Sequence, residues 1–329
     1  MLLRGLRSAI VLCIGVGAIA SQTTNISAYG AAPQPSQEQP QSHAAAQKSI
    51  SVWVTVLDKR GQPVNDLTQA EFRVLEDGKE QAITSFAFGV RKPLAVGFLT
   101  QWSGRRQSTL PYAEIDPAIQ FFQSLMGKND FSFAAKFADT VYTLIDFTND
   151  PTEIERALRF AESAKPWGPS ALYDSIIWAC NERLSTRPQR RVLLLVADGH
   201  DNQSNKSLRD ATESALLSQT TIYVVSLAHV AFAREWAVGQ PSQNLGLKRC
   251  VHVLKELAEQ TGGDAIFARK QEDLAPAFGK IARELHNQYR VGYSPANQAR
   301  RGEFRKIKIE VKRKGVRVLA RKGYSVSRN

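Results

Sequence analysis

Three short polar stretches carry the side chains that could do chemistry. The first follows the apolar run Leu94-Ala-Val-Gly-Phe-Leu-Thr100 and holds Gln101, Ser103, Gly104, Arg105 and Arg106. The second is Gly168-Pro-Ser-Ala-Leu-Tyr-Asp174, and the third is Ala197-Asp-Gly-His-Asp201. Hydroxyls and carboxylates gathered from separate loops offer oxygen ligands to a hard cation such as Mg²⁺. Two arginines on one loop offer forked donors to an anion instead. The plainest alternative is a hydrogen-bonded cluster of Ser103, Ser170 and Asp198 that only ties the three loops together.

Other chemistries lack their residue patterns. The chain contains no His-Glu-x-x-His, no Gly-x-Ser-x-Gly and no phosphate-cradling Gly-x-x-x-x-Gly-Lys. His200, beside Asp198 and Asp201, reads as a surface loop residue rather than a base. Asp201 and Asn202 are expected to cap the helix that follows them, and Asp174 falls in a first helical turn, where a carboxylate suits the dipole.

The elements that must position these loops alternate from Leu94 to about His286. Strands are predicted at Leu94–Thr100, Asp130–Lys136, Val141–Asp146, Arg191–Ala197, Thr221–Ser226 and Asp264–Phe267. Helical patterns lie between them at Pro117–Leu125, Pro151–Ala161, Ala171–Leu184, Leu208–Ser218, Leu247–Gln260 and Asp273–Leu285. Strands that are apolar throughout, alternating with helices, predict an α/β class: a Rossmann-like, doubly wound, mostly parallel sheet covered on both faces. In such a sheet the loops that bind leave the carboxyl ends of the strands near the point where the strand order reverses.

The flanks follow a different period. Ser49–Asp58 alternates apolar and polar residues, as do the segments Phe72–Lys79 and Gln81–Phe88 around an Asp-Gly turn. Gln288–Tyr293, Glu303–Lys312 and Gly315–Ala320 do the same at the far end. Three strands alone would leave unpaired edges, so the two flanks are expected to combine into one small β-sandwich. The predicted division is therefore residues 49–90 and 288–329 as the two halves of a sandwich, with 91–287 inserted between them.

With these stretches in view, the chain resembles the von Willebrand factor type A (VWA) family, and within it the exported bacterial VWFA-related proteins. The resemblance rests on Val54-Thr-Val-Leu-Asp-Lys-Arg-Gly-Gln-Pro-Val64 and Leu67-Thr-Gln-Ala-Glu-Phe-Arg-Val-Leu-Glu-Asp-Gly-Lys79 in front. At the rear it rests on Gln288-Tyr-Arg-Val-Gly-Tyr-Ser-Pro295 and Ala320-Arg-Lys-Gly-Tyr324, with the three loops between. It implies a metal-ion-dependent adhesion site, in which a first loop reads Asp-x-Ser-x-Ser, a second supplies Thr and a third supplies Asp. Here Gln101 stands for the first Asp, Ser103 matches, Arg105 stands for the second Ser, Ser170 for Thr, and Asp198 matches. Losing one carboxylate and gaining a guanidinium, which has no acceptor, opposes a divalent cation. No cofactor is therefore expected; the donors left for Mg²⁺ would be Ser103, Ser170 and Asp198.

The ends of the chain bear on where it works. Arg4 and Arg7 precede the uncharged run Ala9–Ala20, which ends in Ala18-Ile-Ala20. The run is short of the ~20 apolar residues that span a bilayer and fits a cleavable Sec-type signal over residues 1–20, hence a periplasmic or extracellular protein. Residues 21–48, rich in Ser, Gln, Pro and Ala, read as a disordered spacer. Cys180 and Cys250 sit in apolar helical patterns and are expected as buried thiols rather than a bridge. From Arg300 onward twelve Lys or Arg face only Glu303 and Glu310, within a chain of net charge +12. Their alternation with Ile and Val argues for a solvated sheet face and against a nucleic-acid partner, leaving an anionic envelope surface as a contact. The function expected is a secreted, non-enzymatic protein-interaction module; the competing readings are a hydrolase using the Asp198 cleft and a structural envelope component.

Overall fold

A computed structural model describes residues 49–102, 112–161, 168–226, 228–229, 243–297, 300 and 302–325. The predicted signal and spacer, residues 1–48, lie outside these. The front flank gives β1 (Ile50–Leu57), β2 (Phe72–Glu76), β3 (Lys79–Gln81) and β4 (Ile83–Phe88). The middle gives β5 (Leu94–Gln101), α1 (Ile115–Leu125), β6 (Phe131–Phe137), β7 (Val141–Thr148), α2 (Pro151–Ala161) and α3 (Leu172–Trp178). It continues with β8 (Arg190–Ala197), α4 (Leu208–Leu217), β9 (Thr221–Ser226), α5 (Gln243–Thr261), β10 (Ala265–Phe267) and α6 (Leu274–His286). The rear flank gives β11 (Tyr289–Tyr293), β12 (Phe304–Val311), β13 (Arg317–Leu319) and β14 (Gly323–Ser325).

The middle strands form one sheet in the order β10-β9-β8-β5-β6-β7. All neighbours are parallel except β6 and β7. Counted from the β7 edge the order is the doubly wound one, with its reversal between β5 and β8. Every residue of β5 is buried because both faces are covered. Val96, Phe98, Val192 and Leu194 pack with α1, α2 and α6. Leu99, Leu193, Leu195 and Val224 pack with α3, α4 and α5 on the other face.

The flanks interleave in two further sheets, β13-β1-β11-β4 and β14-β12-β2-β3. Val52 pairs with Val291 in the first, and Val74 with Ile309 in the second. Their inward side chains, including Val52, Val54, Phe72, Val74, Tyr289, Val291 and Ile307, form a separate apolar core. Neither flank completes a sheet alone, and the doubly wound unit is inserted in this sandwich.

Three local expectations differ from what is observed. The segment Gln81–Phe88 is broken at Ala82: β3 closes a hairpin with β2, while β4 crosses to the other sheet. Asp77 and Gly78 both take positive φ (48° and 82°), the geometry of a two-residue hairpin turn. The segment predicted as one helix over Ala171–Leu184 widens to a π-turn at Ala179–Arg183 and tightens to a 3₁₀ turn at Leu184–Thr186. The rear flank also carries β14, which at three residues is too short for period two to register. Cys180 and Cys250 are buried and form no disulfide, and burial pushes the Cys180 thiol up to about 12, so it is inert. Among the described residues no helix is long and apolar enough to cross a membrane.

A buried ionic cluster fastens the sandwich to the sheet. Arg317 donates Nη1 to Asp264 Oδ1 at 2.9 Å and Nη2 to Oδ2 at 2.7 Å, and Lys280 Nζ donates to Oδ2 at 2.8 Å. Burial opposes ionisation of Asp264, but these donors outweigh it and hold its pKa below the ordinary value. Glu284 is fully buried with Lys280 Nζ 3.5 Å away. Burial, reinforced by the Asp264 charge, pushes its carboxyl up to about 7. The folded protein thus keeps the Glu284 proton to higher pH than the unfolded chain does. Stability from this group is full below the unfolded value near 4.5 and is lost as pH rises toward about 7. Glu284→Gln should remove that loss, stabilising the protein by on the order of 1–3 kcal/mol more at pH 8 than at pH 5. Urea unfolding at the two pH values measures this; equal effects would mean that Glu284 is already ionised in the folded state at pH 5.

Candidate functional site

Strand β5 ends at Gln101, whose side chain is buried against the second and third loops. The backbone N–H of Asp198 donates to Gln101 Oε1 at 2.8 Å, and Gln101 Nε2 donates to Ser170 Oγ at 3.3 Å. A backbone N–H can only donate, so the amide oxygen must face Asp198 and the amide nitrogen falls to Ser170. One carboxamide therefore joins the end of β5, the turn after β8 and the loop before α3. Thr100, next to it, donates Oγ1 to Oε1 of the buried Glu114 at 2.9 Å.

Asp198 is fully buried. Its Oδ1 accepts the backbone N–H of His200 at 2.8 Å, closing the turn, while its Oδ2 is buried without a hydrogen-bond partner. Gly199 makes this turn with φ +83°, and a Cβ there would lie 2.7 Å from the carbonyl oxygen of Cys250 on α5. Glycine is needed on both counts, for conformation and for the close approach of that helix.

The loop before α3 is held by the loop after β8. Ser170 N donates to Asn202 Oδ1 at 2.8 Å, and Ser170 O accepts from Asn202 N and Gln203 N. Leu172 N donates to Asp201 Oδ1 at 3.0 Å, and Tyr173 N and Asp174 N share Ser204 Oγ. Asp201 and Asn202 thus serve the start of α3, which precedes them in the chain, and not the helix that follows. Helix α4 is capped by Ser207 and Asp210, each accepting the other's backbone N–H. The spacing Ser-x-x-Asp was the available signal for that cap. Asp174 lies in the first turn of α3 as expected, and its carboxylate accepts Asn205 N and Lys206 N. Nothing in the sequence pointed to Ser204 or Glu114, because each acts on a partner from another loop.

Gln101, Ser170 and Asp198 are brought together; Ser103, Arg105 and Arg106 lie outside the described residues. The three described side chains do not fit Mg²⁺. The Gln101 oxygen is engaged by an N–H, its nitrogen points a donor at Ser170, and only Asp198 has a free carboxylate oxygen. Among the described residues no group of three or more His, Cys, Asp or Glu could hold a metal ion.

Strand order and the two helix layers define a doubly wound α/β fold. No family model and no curated protein matches the chain. Solved structures similar to it include the PilB minor pilin from Streptococcus sanguinis, at 12% identity and TM-score 0.44, covering 60% of this chain and 62% of that one. A von Willebrand factor type A protein from Catenulispora acidiphila is similar at 10% identity and TM-score 0.48, covering 86% of this chain and 76% of that one. Proximal thread matrix protein 1 from the mussel byssus, solved with a zinc-occupied MIDAS motif, is similar at 12% identity and TM-score 0.48, covering 64% of this chain and 50% of that one. The chain spans 62% of the pilin's length.

The Gly199 turn separates a conformational cost from a packing cost. Gly199→Ala should lose more than about 2 kcal/mol, since the positive φ alone costs roughly 1–3 kcal/mol and the α5 backbone must also shift. Gly78→Ala, at φ +82° with nothing within 4 Å of the added Cβ, should lose only the conformational share. Chemical denaturation of both variants decides it; equal losses would mean that α5 does not press on the Asp198 turn.

Proposed function

We propose that the chain is an exported, non-enzymatic VWA-type protein-interaction module whose adhesion site works without a metal ion. The observation that carries this reading is the Gln101 carboxamide, which sits where the resemblance places a ligand carboxylate and spends both its atoms on Asp198 N and Ser170 Oγ. The free Oδ2 of Asp198 leaves one acceptor for a cation. Arg105, three residues past Trp102, would supply a fixed positive charge there through a charge-assisted hydrogen bond. Its spare donor edge would then receive an Asp or Glu of the partner, as a metal would. Gln101, Ser103, Arg105, Ser170 and Asp198 form the proposed binding surface.

The remaining organisation supports export and an extracytoplasmic role. Residues 1–20 serve as the signal, 21–48 as spacer, and 49–90 with 288–329 as the platform that presents the inserted residues 91–287. Much of the basic carboxyl end is neutralised within the protein: Arg305 pairs with Asp77 and Glu303, and Arg313 with Asp66 and Glu71. Lys306 stays exposed for an anionic envelope surface, while the exposed Lys308 pairs with Glu310.

Titration calorimetry of the full chain tests the metal-free reading. No saturable heat is expected from Mg²⁺ or Mn²⁺ at millimolar concentration. Gln101→Asp combined with Arg105→Ser should create it, by restoring a carboxylate and removing the guanidinium. Saturable Mg²⁺ binding by the unaltered protein would sink the proposal.

A further inference from the structure

A second polar site lies at the opposite end of the doubly wound sheet, where the sandwich meets the amino ends of its strands. It is a cleft of about 180 Å³, far above the roughly 10–15 Å³ that one water needs. From the sheet side come Lys92, which precedes β5, and Arg190 and Arg191 at the start of β8. From the sandwich side come Ser51 and Trp53 of β1, and Arg321 between β13 and β14. Four side chains lining it are cationic, and none is a carboxylate.

Two of these cations have donors with nothing to bond. Arg190 is only 8% exposed, and its Nε and Nη2 are buried without an acceptor. The Nε of Arg321 is buried and unpartnered as well, although Arg321 Nη2 reaches Ser51 O at 2.9 Å. A buried Nε without a partner also occurs at Arg183, Arg290 and Arg305, but Arg183 and Arg305 have carboxylate partners elsewhere on the guanidinium, and only Arg190 has two such nitrogens among the described residues. Burial without an anion pushes Arg190 down to about 10.

The donors are held in place. The Arg190 guanidinium lies 4.7 Å from the Trp53 ring centroid, and its backbone N–H donates to Pro93 O at 2.9 Å. Arg191 is tied by Nε to Arg187 O and by Nη1 to Ser218 O. Arg321 is brought in because Gly262, with φ +86°, has no Cβ; one there would stand 2.4 Å from Arg321 N. The Thr261–Arg321 bridge and Lys322 N donating to Gln260 O at 2.9 Å hold that approach.

We propose that this cleft binds a small ligand through a phosphate group, with Arg190 and Arg321 as the forked donors and Lys92 at the mouth. Weakly hydrated, planar guanidinium groups match the tetrahedral oxyanion bidentately, and a site without carboxylates imposes no repulsion on it. Because Arg190 is nearly covered by two packed units, the phosphate must enter the cleft, which suits a free solute and not a headgroup fixed in a bilayer plane. The site goes beyond the interaction role assigned to the adhesion loops and shares no residue with them.

Calorimetry of the full chain with inorganic phosphate is the test, run against sodium chloride of equal ionic strength and against vesicles of phosphatidylcholine with phosphatidic acid. Saturable binding of phosphate alone is expected, at least tenfold weaker in Arg190→Gln and in Arg321→Gln, and unchanged in Arg209→Gln, an exposed arginine elsewhere. Lys92→Gln, at an exposed position that cannot unfold the core, should weaken it severalfold and keeps the test decisive if Arg190→Gln does not fold. No binding beyond that of chloride, equal affinity in all variants, or saturation by the acidic vesicles alone would each overturn the assignment.

Discussion

The carboxylate of Asp264 is the contact on which the relation between the two halves depends. It stands just before the edge strand β10, and it receives a forked pair of bonds from Arg317 on β13 and a third from Lys280 on α6. A buried carboxylate must be paired to stay ionised, so it recruits the sandwich, the sheet edge and a helix to one point. The chain enforces the same arrangement. It leaves the sandwich after Phe88 and enters β5 at Leu94; it leaves α6 at His286 and re-enters the sandwich at Tyr289. Both crossings fall at the amino ends of the strands, so the carboxyl ends, with the three loops, face away from the platform.

At those carboxyl ends hydrogen bonds within the chain tie the described loops together. Gln101 satisfies an N–H of the third loop and a hydroxyl of the second, while Asp201, Asn202 and Ser204 satisfy the first turn of α3. Each such bond contributes on the order of 1 kcal/mol, but leaving the same buried groups unmade would cost about 1–3 kcal/mol apiece. The network therefore secures the relative position of the second and third loops.

Much of the fold was legible in the sequence, for a physical reason. Strands covered on both faces read as unbroken apolar runs, so β5 and β8 were recognisable to within a residue at each end, whereas the break at Ala82 changes no periodicity and was not. The pairing of front and rear flanks followed from the need of period-two strands for edges. For the three described loop residues the sequence indicated their proximity and not their wiring. Gln101, Ser170 and Asp198 could be placed together from strand-end loops, but that Asp201 turns back to α3 depends on how two distant loops pack. The cationic cleft was invisible for the same reason: Arg190 reads as the polar start of a strand, and only the folded chain lays Trp53 and Arg321 against it.

Strand β8 links the two ends of this molecule in an unusual way. Its first residue, Arg190, carries a buried cation with unbonded donors, and the residue after its last, Asp198, is a buried carboxylate with an unbonded oxygen. Opposite charges on one strand would ordinarily neutralise each other. Eight steps of roughly 3.3 Å separate them by ~26 Å, well beyond the ~8 Å screening length at physiological salt. Neither can serve as the other's counter-ion, and the apolar residues between them, Val192 to Ala197, are fully buried. On the two proposed readings each group would be met locally: at the carboxyl end by a cation from the first loop, and at the amino end by an anion entering between the sheet and the sandwich. On those readings a single apolar strand would keep the two sites independent of each other.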